Sequence, residues 1–304
     1  MRKIFAREIL AYAQKRPCFF LTGDLGFMAL EEVRDGLGKR FLNCGVAEQN
    51  MVGVAAGLAR EGFQVFVYSI APFCYARPFE QIRNDVCMSR LSVCLVGNGG
   101  GYAYGHMGPT HHALEDCAAM SALGLRVMVP AFDTDMTALL ATLDGPTYLR
   151  LGYDARPENE IPPPYAPWRR LLSGSRGILV ALGPLGGLAW EALRDYPPAE
   201  RPEVWVVTEM PLKDIPETIG ESLNSGGVLG VVEEHVVQGG LGMQLAYRLA
   251  MNGIRVKKIV HHAAVGYPSG RYGSQAFHRH ESGLDADGIR DMVSREMLLR
   301  EMRG

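Results

Sequence analysis

The sequence predicts an α/β protein built as two domains, each with a parallel or mixed sheet covered by helices. Two observations carry this. Short, continuous apolar runs alternate with helical patterns along most of the chain, the pattern of parallel strands buried on both faces. A proline-rich stretch interrupts that alternation near the middle. The 304 residues are also long for one core and comfortable for two.

In the first half, apolar runs predict strands at 18–23, 41–45, 64–70, 91–97, 126–130 and 147–151. Helical spacing predicts helices near 3–15, 27–37, 48–61, 76–90, 112–123 and 133–143. From Gly152 to Trp168 the character changes: Pro157, Pro162, Pro163, Pro164 and Pro167 lie among scattered charges. This reads as an interdomain linker. Beyond it, strands are expected at 177–182, 203–209, 228–233 and 255–260, with helices near 186–195, 240–252 and 285–300. The expected division is 1–155, a linker over 156–170, and a smaller domain over 171–304.

A net charge of −2 gives no electrostatic reason to expect nucleic acid or an anionic membrane as a partner. No apolar run approaches a membrane span. The opening residues, Met1 to Glu8, put a glutamate where a signal peptide needs apolar residues, so they read as an amphipathic helix. The six cysteines, Cys18, Cys44, Cys74, Cys87, Cys94 and Cys117, form no CxxC pair and mostly lie in apolar runs. They read as structural thiols of a reduced, cytoplasmic protein.

Three groups fall just past predicted strand ends, where parallel sheets place their chemistry. Asp24 follows the first strand. Glu48 lies in Gly45-Val46-Ala47-Glu48-Gln49-Asn50-Met51, at the mouth of a strand-to-helix turn. The helix it opens is small and apolar nearly all round, which predicts a buried helix. Glu48 then goes into the interior or an interface, where a carboxylate needs a partner or takes up a proton. The third group is Gly108-Pro109-Thr110-His111-His112, after the glycine-rich Gly97-Asn98-Gly99-Gly100-Gly101. That run is not a GxGxxG leading into a helix, so a loop over a pocket is the better reading than a dinucleotide site. Adjacent His111 and His112 make poor geometry for a shared metal, and no metal site is expected on this chain. His111 suits hydrogen bonding or proton transfer, with a purely structural histidine as the alternative.

The run GVAEQNMVGVAAGLA together with GPTHH resembles the transketolase family of thiamine-diphosphate enzymes. Val232-Glu233-Glu234-His235 with Gly239-Gly240-Leu241-Gly242 agrees with the C-terminal domain of that family. The resemblance covers nearly the whole chain from about residue 18 and corresponds to the C-terminal half of such an enzyme. It implies a pyrimidine-binding domain followed by a transketolase C-terminal domain. It also implies that Glu48 bonds the aminopyrimidine ring nitrogen and favours the imino tautomer that deprotonates the thiazolium carbon. An aromatic residue from Ser69 to Tyr75 is implied to stack on the pyrimidine. The family position falls near Cys74, which makes Phe73 or Tyr75 the candidate. Asp24 is a further candidate at the cofactor. His111 matches the histidine over the reacting centre. Arg77 and Arg150 could hold an anionic substrate group, or could be salt bridges.

Two departures matter. The Gly-Asp-Gly signature that carries Mg²⁺ and the diphosphate in full-length transketolases is absent, and Asp24 sits in Gly-Asp-Leu. The resemblance therefore implies a split enzyme. An N-terminal subunit supplies the Mg²⁺ site, thiamine diphosphate lies between subunits, and the assembly is α₂β₂ on a β₂ core with an exposed apolar partner face. The loop before GPTHH also lacks the family's sugar-gripping histidine and aspartate. Those positions fall on Gly99 and Met107, with Tyr102, Tyr104 and His106 as substitutes.

The expected function is ketol transfer between a ketose and an aldose by the C-terminal subunit of a split transketolase. A deoxyxylulose-phosphate-synthase-like or 2-oxo acid dehydrogenase β-like subunit is the alternative of similar chemistry. A non-catalytic scaffolding subunit is the third.

Overall fold

The computed structural model describes residues 1–297. The first sheet has seven strands in the order β10-β5-β6-β4-β3-β1-β2. They are β1 (Cys18–Thr22), β2 (Phe41–Asn43), β3 (Gln64–Ile70), β4 (Val93–Asn98), β5 (Arg126–Met128), β6 (Thr147–Leu151) and β10 (Glu209–Met210). All pairings are parallel except the edge pair β10–β5. The second sheet runs β12-β11-β8-β9-β7. Its strands are β7 (Trp168–Leu172), β8 (Ile178–Leu182), β9 (Glu203–Val207), β11 (Val228–Glu233) and β12 (Lys258–Ala263), with only β7–β9 antiparallel.

The helices are α1 (Arg2–Lys15), α2 (Glu31–Leu37), α3 (Glu48–Arg60), α4 (Ala71–Tyr75), α5 (Phe79–Gln81), α6 (Asp116–Ala122), α7 (Met136–Ala141), α8 (Leu185–Leu193), α9 (Glu217–Asn224), α10 (Leu241–Met251), α11 (Gln275–Glu281) and α12 (Ala286–Asp291). The predicted helix at 285–300 appears as α12 and a wider turn over Met292–Met297, and its last residues lie outside the described ones.

The alternation of a strand explains the double covering. Along β3, Val65 and Val67 enter one apolar core while Phe66 and Tyr68 enter another. On the second face, Phe5 of α1 packs near Phe20, Phe66 and Tyr68, with ring centroids 6.2–6.4 Å apart. Each such fully buried aromatic stabilises the fold by roughly 1.5–3 kcal/mol. The first core also takes Ile178, Val180 and Leu182 of β8, so it is continuous between the two sheets.

Several elements differ from expectation. The predicted strand 203–209 is split: Val207 ends β9 in the second sheet and Glu209 begins β10 in the first. Thr208 makes the crossing, accepting the Val129 N–H and donating its hydroxyl to Ala166 and its N–H to Pro167. The predicted helix 76–90 appears as α5 running on into a wider turn over Ile82–Cys87, and the short α4 just before it was not expected. Pro78 supplies no N–H to continue α4. Strands at 168–172 and helices at 217–224 and 275–281 were not expected from the sequence pattern, and β12 starts at Lys258, three residues later than its predicted start. The stretch 152–167 holds neither helix nor strand. It is nevertheless anchored, because Asp154 accepts the Asp133 N–H at 2.8 Å and Tyr165 donates to Glu209. No helix among the described residues is long and apolar enough to cross a membrane.

Candidate active site

Strands β4, β3, β1 and β2 are neighbours and run the same way, so their C-terminal ends open along one edge. The loops from those ends carry Asp24, Glu48, the segment Phe73–Arg77 and the glycine-rich loop that leads to His111. This edge is where open parallel sheets place ligands.

Glu48 is the first residue of α3. There its charge faces the positive end of the helix dipole. Gly45, with φ +68°, supplies the left-handed turn out of the strand that a side chain would resist. Glu48 is only 5% exposed, and its Oε1 accepts a hydrogen bond from Arg77 Nη1 at 2.8 Å. The partner that a buried carboxylate requires is thus Arg77, whose side chain is 44% exposed. The guanidinium of Arg77 also lies over the Phe73 ring, 3.7 Å from its centroid. The edge of that arrangement is closed by His111, whose ring centroid is 5.1 Å from that of Phe73. His111 Nδ1 shares a 2.8 Å hydrogen bond with the Thr110 hydroxyl. Glu48, Arg77, Phe73 and His111 therefore form one contiguous cluster.

The helix that Glu48 opens is not buried all round. Met51, Val52, Ala55, Ala56 and Ala59 face the core, while Asn50, Gly53, Val54 and Gly57 are exposed. The uniformly small side chains hid a two-faced helix.

The other expected residues divide. Tyr104 adjoins His111 at 6.2 Å between ring centroids, and its hydroxyl accepts from Asn98 Nδ2 at 2.6 Å. His106 is exposed on the turn Gly105–Met107. Asp24 lies at the end of β1 with φ 59°, and Asn43 Nδ2 donates to its carboxylate at 3.0 Å. It lines an open cleft of about 410 Å³ with Thr22, Phe27, Arg34 and Asn43. Tyr75 is buried in the core, where desolvation pushes its phenol up. Cys74 is fully buried and donates its thiol to the Val67 carbonyl at 3.7 Å. Of the Phe73–Tyr75 run, Phe73 is the aromatic that meets His111 and Arg77.

Arg150 stands apart from the Glu48 cluster. It is buried and donates to Asp116 at 2.9 Å, to the Ala113 carbonyl at 2.8 Å and to the Glu234 carbonyl at 2.9 Å. Its donors hold the foot of the glycine-rich loop against the second sheet. Glu234 completes that clamp: its carboxylate accepts the Tyr102 N–H at 2.6 Å and is itself paired with Arg279 and Gln275. Gly101 has φ +65°, and a Cβ there would meet Glu234 Oε1 at 2.3 Å. The glycine run is what lets Glu234 reach the backbone. The two histidines also point apart. His112 is buried, with Nδ1 sharing a 2.6 Å bond with the Tyr267 hydroxyl and Nε2 a 3.1 Å bond with the Gly105 carbonyl. Burial lowers its pKa.

The sequence reading missed the clamp. The Glu233-Glu234 pair and the glycine run were both visible, but not that they meet across 132 residues. It offered Arg77 as an anion holder or a salt bridge without naming Glu48 as the partner, since nothing local pairs the two.

The donor set at Glu48 suits a flat nitrogen ring bearing N–H groups: one carboxylate that accepts N–H, beside an aromatic face that carries a planar group. Among the described residues, the His, Cys and acidic groups close enough to share an ion are Asp116, Cys117 and His235. Asp116 Oδ2 already accepts from Tyr148 and Arg150, and His235 is bonded to Val236 and Ala118. That group does not suit a cation.

Comparison with known proteins gives a consistent result. Residues 1–153 match the family model of the transketolase pyrimidine binding domain. The chain is 32% identical over 272 residues to one of the subunits of the apulose-4-phosphate transketolase of Phocaeicola vulgatus, covering 85% of this chain and 86% of that one. It is 34% identical over 266 residues to a 1-deoxy-D-xylulose-5-phosphate synthase of Geobacter metallireducens, covering 82% of this chain but 41% of that protein. A solved structure described as a split gene transketolase, an inactive β4 tetramer, superimposes with TM-score 0.78 and 29% identity, covering 97% of each chain.

Proposed function

The chain belongs to the transketolase family, and from that premise we propose that it is the C-terminal subunit of a split transketolase. It moves a two-carbon ketol unit from a ketose to an aldose. It shares thiamine diphosphate with an N-terminal subunit that holds the diphosphate and Mg²⁺. Residues 1–155 act as the pyrimidine-binding domain and 171–304 as the C-terminal domain, joined by 156–170. The observation that carries this reading is the contiguous cluster of Glu48, Phe73 and His111 at the strand ends.

When bound, the cofactor supplies a carbon nucleophile and an electron sink for the transferred fragment. Glu48, held out of water, keeps a proton on the pyrimidine ring nitrogen, a task that burial makes effective. Phe73 offers the ring a flat apolar face. His111, fixed by Thr110, hydrogen-bonds the substrate oxygen on which negative charge develops. Tyr104 and His106, on the loop before His111, are assigned to the substrate, and Asp24, on the loop after β1, to the cofactor.

The split arrangement is supported by relatives of similar length that are named as one part of a transketolase or as a split-gene product. The exposed side of α3 and the exposed Val46, Phe27 and Met28 near the strand ends are the surfaces for other chains. A phosphorylated sugar as substrate follows the relative named for apulose-4-phosphate. The reading that starts from decarboxylation of a 2-oxo acid has one supporting observation, the likeness to part of a deoxyxylulose-phosphate synthase.

The two are separated by co-expressing the chain with its Mg²⁺-binding partner. The complex is then assayed for ketol transfer and for pyruvate decarboxylation. Ketol transfer is expected. Decarboxylation alone, or no complex by size measurement, contradicts the proposal.

A further inference from the structure

We propose that Arg77 is a built-in stand-in for the aminopyrimidine ring: in the free chain its guanidinium fills the ring's place, and loading the site requires it to leave. The inference rests on the reading of Glu48 and Phe73 as ring-binding residues, and adds to it a competitor within the same chain.

A guanidinium and an aminopyrimidine share the features that matter to this site. Both are flat, both stack on aromatic faces, and both present an in-plane N–H to a carboxylate, the aminopyrimidine once its ring nitrogen carries a proton. Arg77 uses both features at once. Nη1 donates to Glu48 Oε1 at 2.8 Å while Cζ lies 3.7 Å above the Phe73 ring. Contact between stacked carbon atoms is about 3.5–4.0 Å. No ring fits between Arg77 and Phe73, and Oε1, one of the two carboxylate oxygens a ring N–H could use, is engaged.

The arrangement has a physical reason. Glu48 is 5% exposed, and a buried carboxylate without a partner is costly. A flat cation from the same chain removes that cost until a ligand replaces it. The side chain is also free to go. Arg77 lies in the break between α4 and α5, its side chain is 44% exposed, and its guanidinium would exchange Glu48 for water. The Arg77 carbonyl accepts from Gln49 Nε2 at 3.4 Å, a contact that does not involve the guanidinium. A displaced Arg77 remains at the mouth of the site. There the anion-holding role expected from the sequence becomes available only after the ring is seated.

The test uses the purified full chain and two small probes, the cofactor's pyrimidine half (4-amino-5-hydroxymethyl-2-methylpyrimidine) and methylguanidinium. Binding is measured by titration calorimetry on the wild type, Arg77→Ala, Arg77→Lys, and each Arg77 variant combined with Glu48→Ala. Circular dichroism checks the fold. Arg77→Lys keeps a charge near Glu48 without the flat plane, and makes the same comparison where Arg77→Ala does not fold. The expected result is at least tenfold tighter pyrimidine binding in the Arg77 variants than in the wild type. That binding should be competed by methylguanidinium and lost when Glu48→Ala is added. Equal pyrimidine affinity with and without Arg77, lost in Glu48→Ala, overturns the stand-in and leaves the ring site standing. No pyrimidine binding in any variant, or binding indifferent to Glu48, overturns both.

Discussion

Glu48 holds its carboxylate at the first turn of α3 with almost no surface open to water, and the residues around it explain why it is stable there. The helix terminus and the Arg77 guanidinium each offset part of the desolvation. The same logic of environment decides the cysteines. Cys74 and Cys94 are fully buried, and burial pushes their thiols far up; Cys18 is pushed to about 11. Cys87 is pushed to about 11 as well, so access separates it from Cys18: Cys44 and Cys87 are half-buried while Cys18, Cys74 and Cys94 are buried, and Ellman's reagent is expected to reach Cys44 and Cys87 in the folded chain well before the other three. Peptide mapping after brief labelling checks this, and early modification of Cys74 would contradict it. Glu48 and His111 stood out as candidates because each lies just past a predicted strand end, whereas Phe73 came only with the family resemblance. Arg77 was legible as a charge but not as the partner of Glu48, because 29 residues separate them.

At the scale of elements, strands were easier to read than helices. A parallel strand buried on both faces is a continuous apolar run, as in β3, β4 and β8. Helix α3 misled for a related reason: alanine, glycine and valine give no polar stripe to mark its exposed side. Strand β7 was hidden because Arg169 and Arg170 interrupt its apolar pattern. Arg169 is buried all the same, bonded to both carboxylate oxygens of Asp135 at 2.7 Å. Both side chains are almost fully buried, so removing one partner strands a charge. Arg169→Ala is expected to cost about 3–5 kcal/mol of stability in urea denaturation. Arg170→Ala, whose pair with Glu203 is exposed, is expected to cost about 0–1 kcal/mol. Equal losses in the two variants would contradict the assignment.

At the scale of the whole molecule, the second sheet does more than add bulk. It shares an apolar core with the first, lends it the edge strand β10, and clamps the loop before His111 through Glu234. None of this was legible, because each contact joins distant parts of the chain. Glu234→Ala is expected to speed hydrogen exchange over residues 99–112 with little change in β3 and β4. Uniform loosening would contradict a local clamp. His112 sits in the same junction, facing Tyr102, Tyr267 and His278. Its pKa is lowered in the folded chain, so below about pH 6.5 the unfolded chain binds the extra proton. The stability due to neutral His112 is full above that pH and falls on acidification. His112→Gln should flatten the decline in urea midpoint between neutral and mildly acidic pH, and an unchanged slope would contradict it.

The proposed catalysis rests on Glu48 acting on a cofactor whose other end is held by a second chain. The most direct measurement is turnover of the reconstituted two-chain complex at saturating thiamine diphosphate and Mg²⁺, comparing the wild type with Glu48→Ala. A loss of kcat of about 10²–10⁴-fold is expected, with the complex still assembled by size. Wild-type turnover in that variant would contradict the central claim.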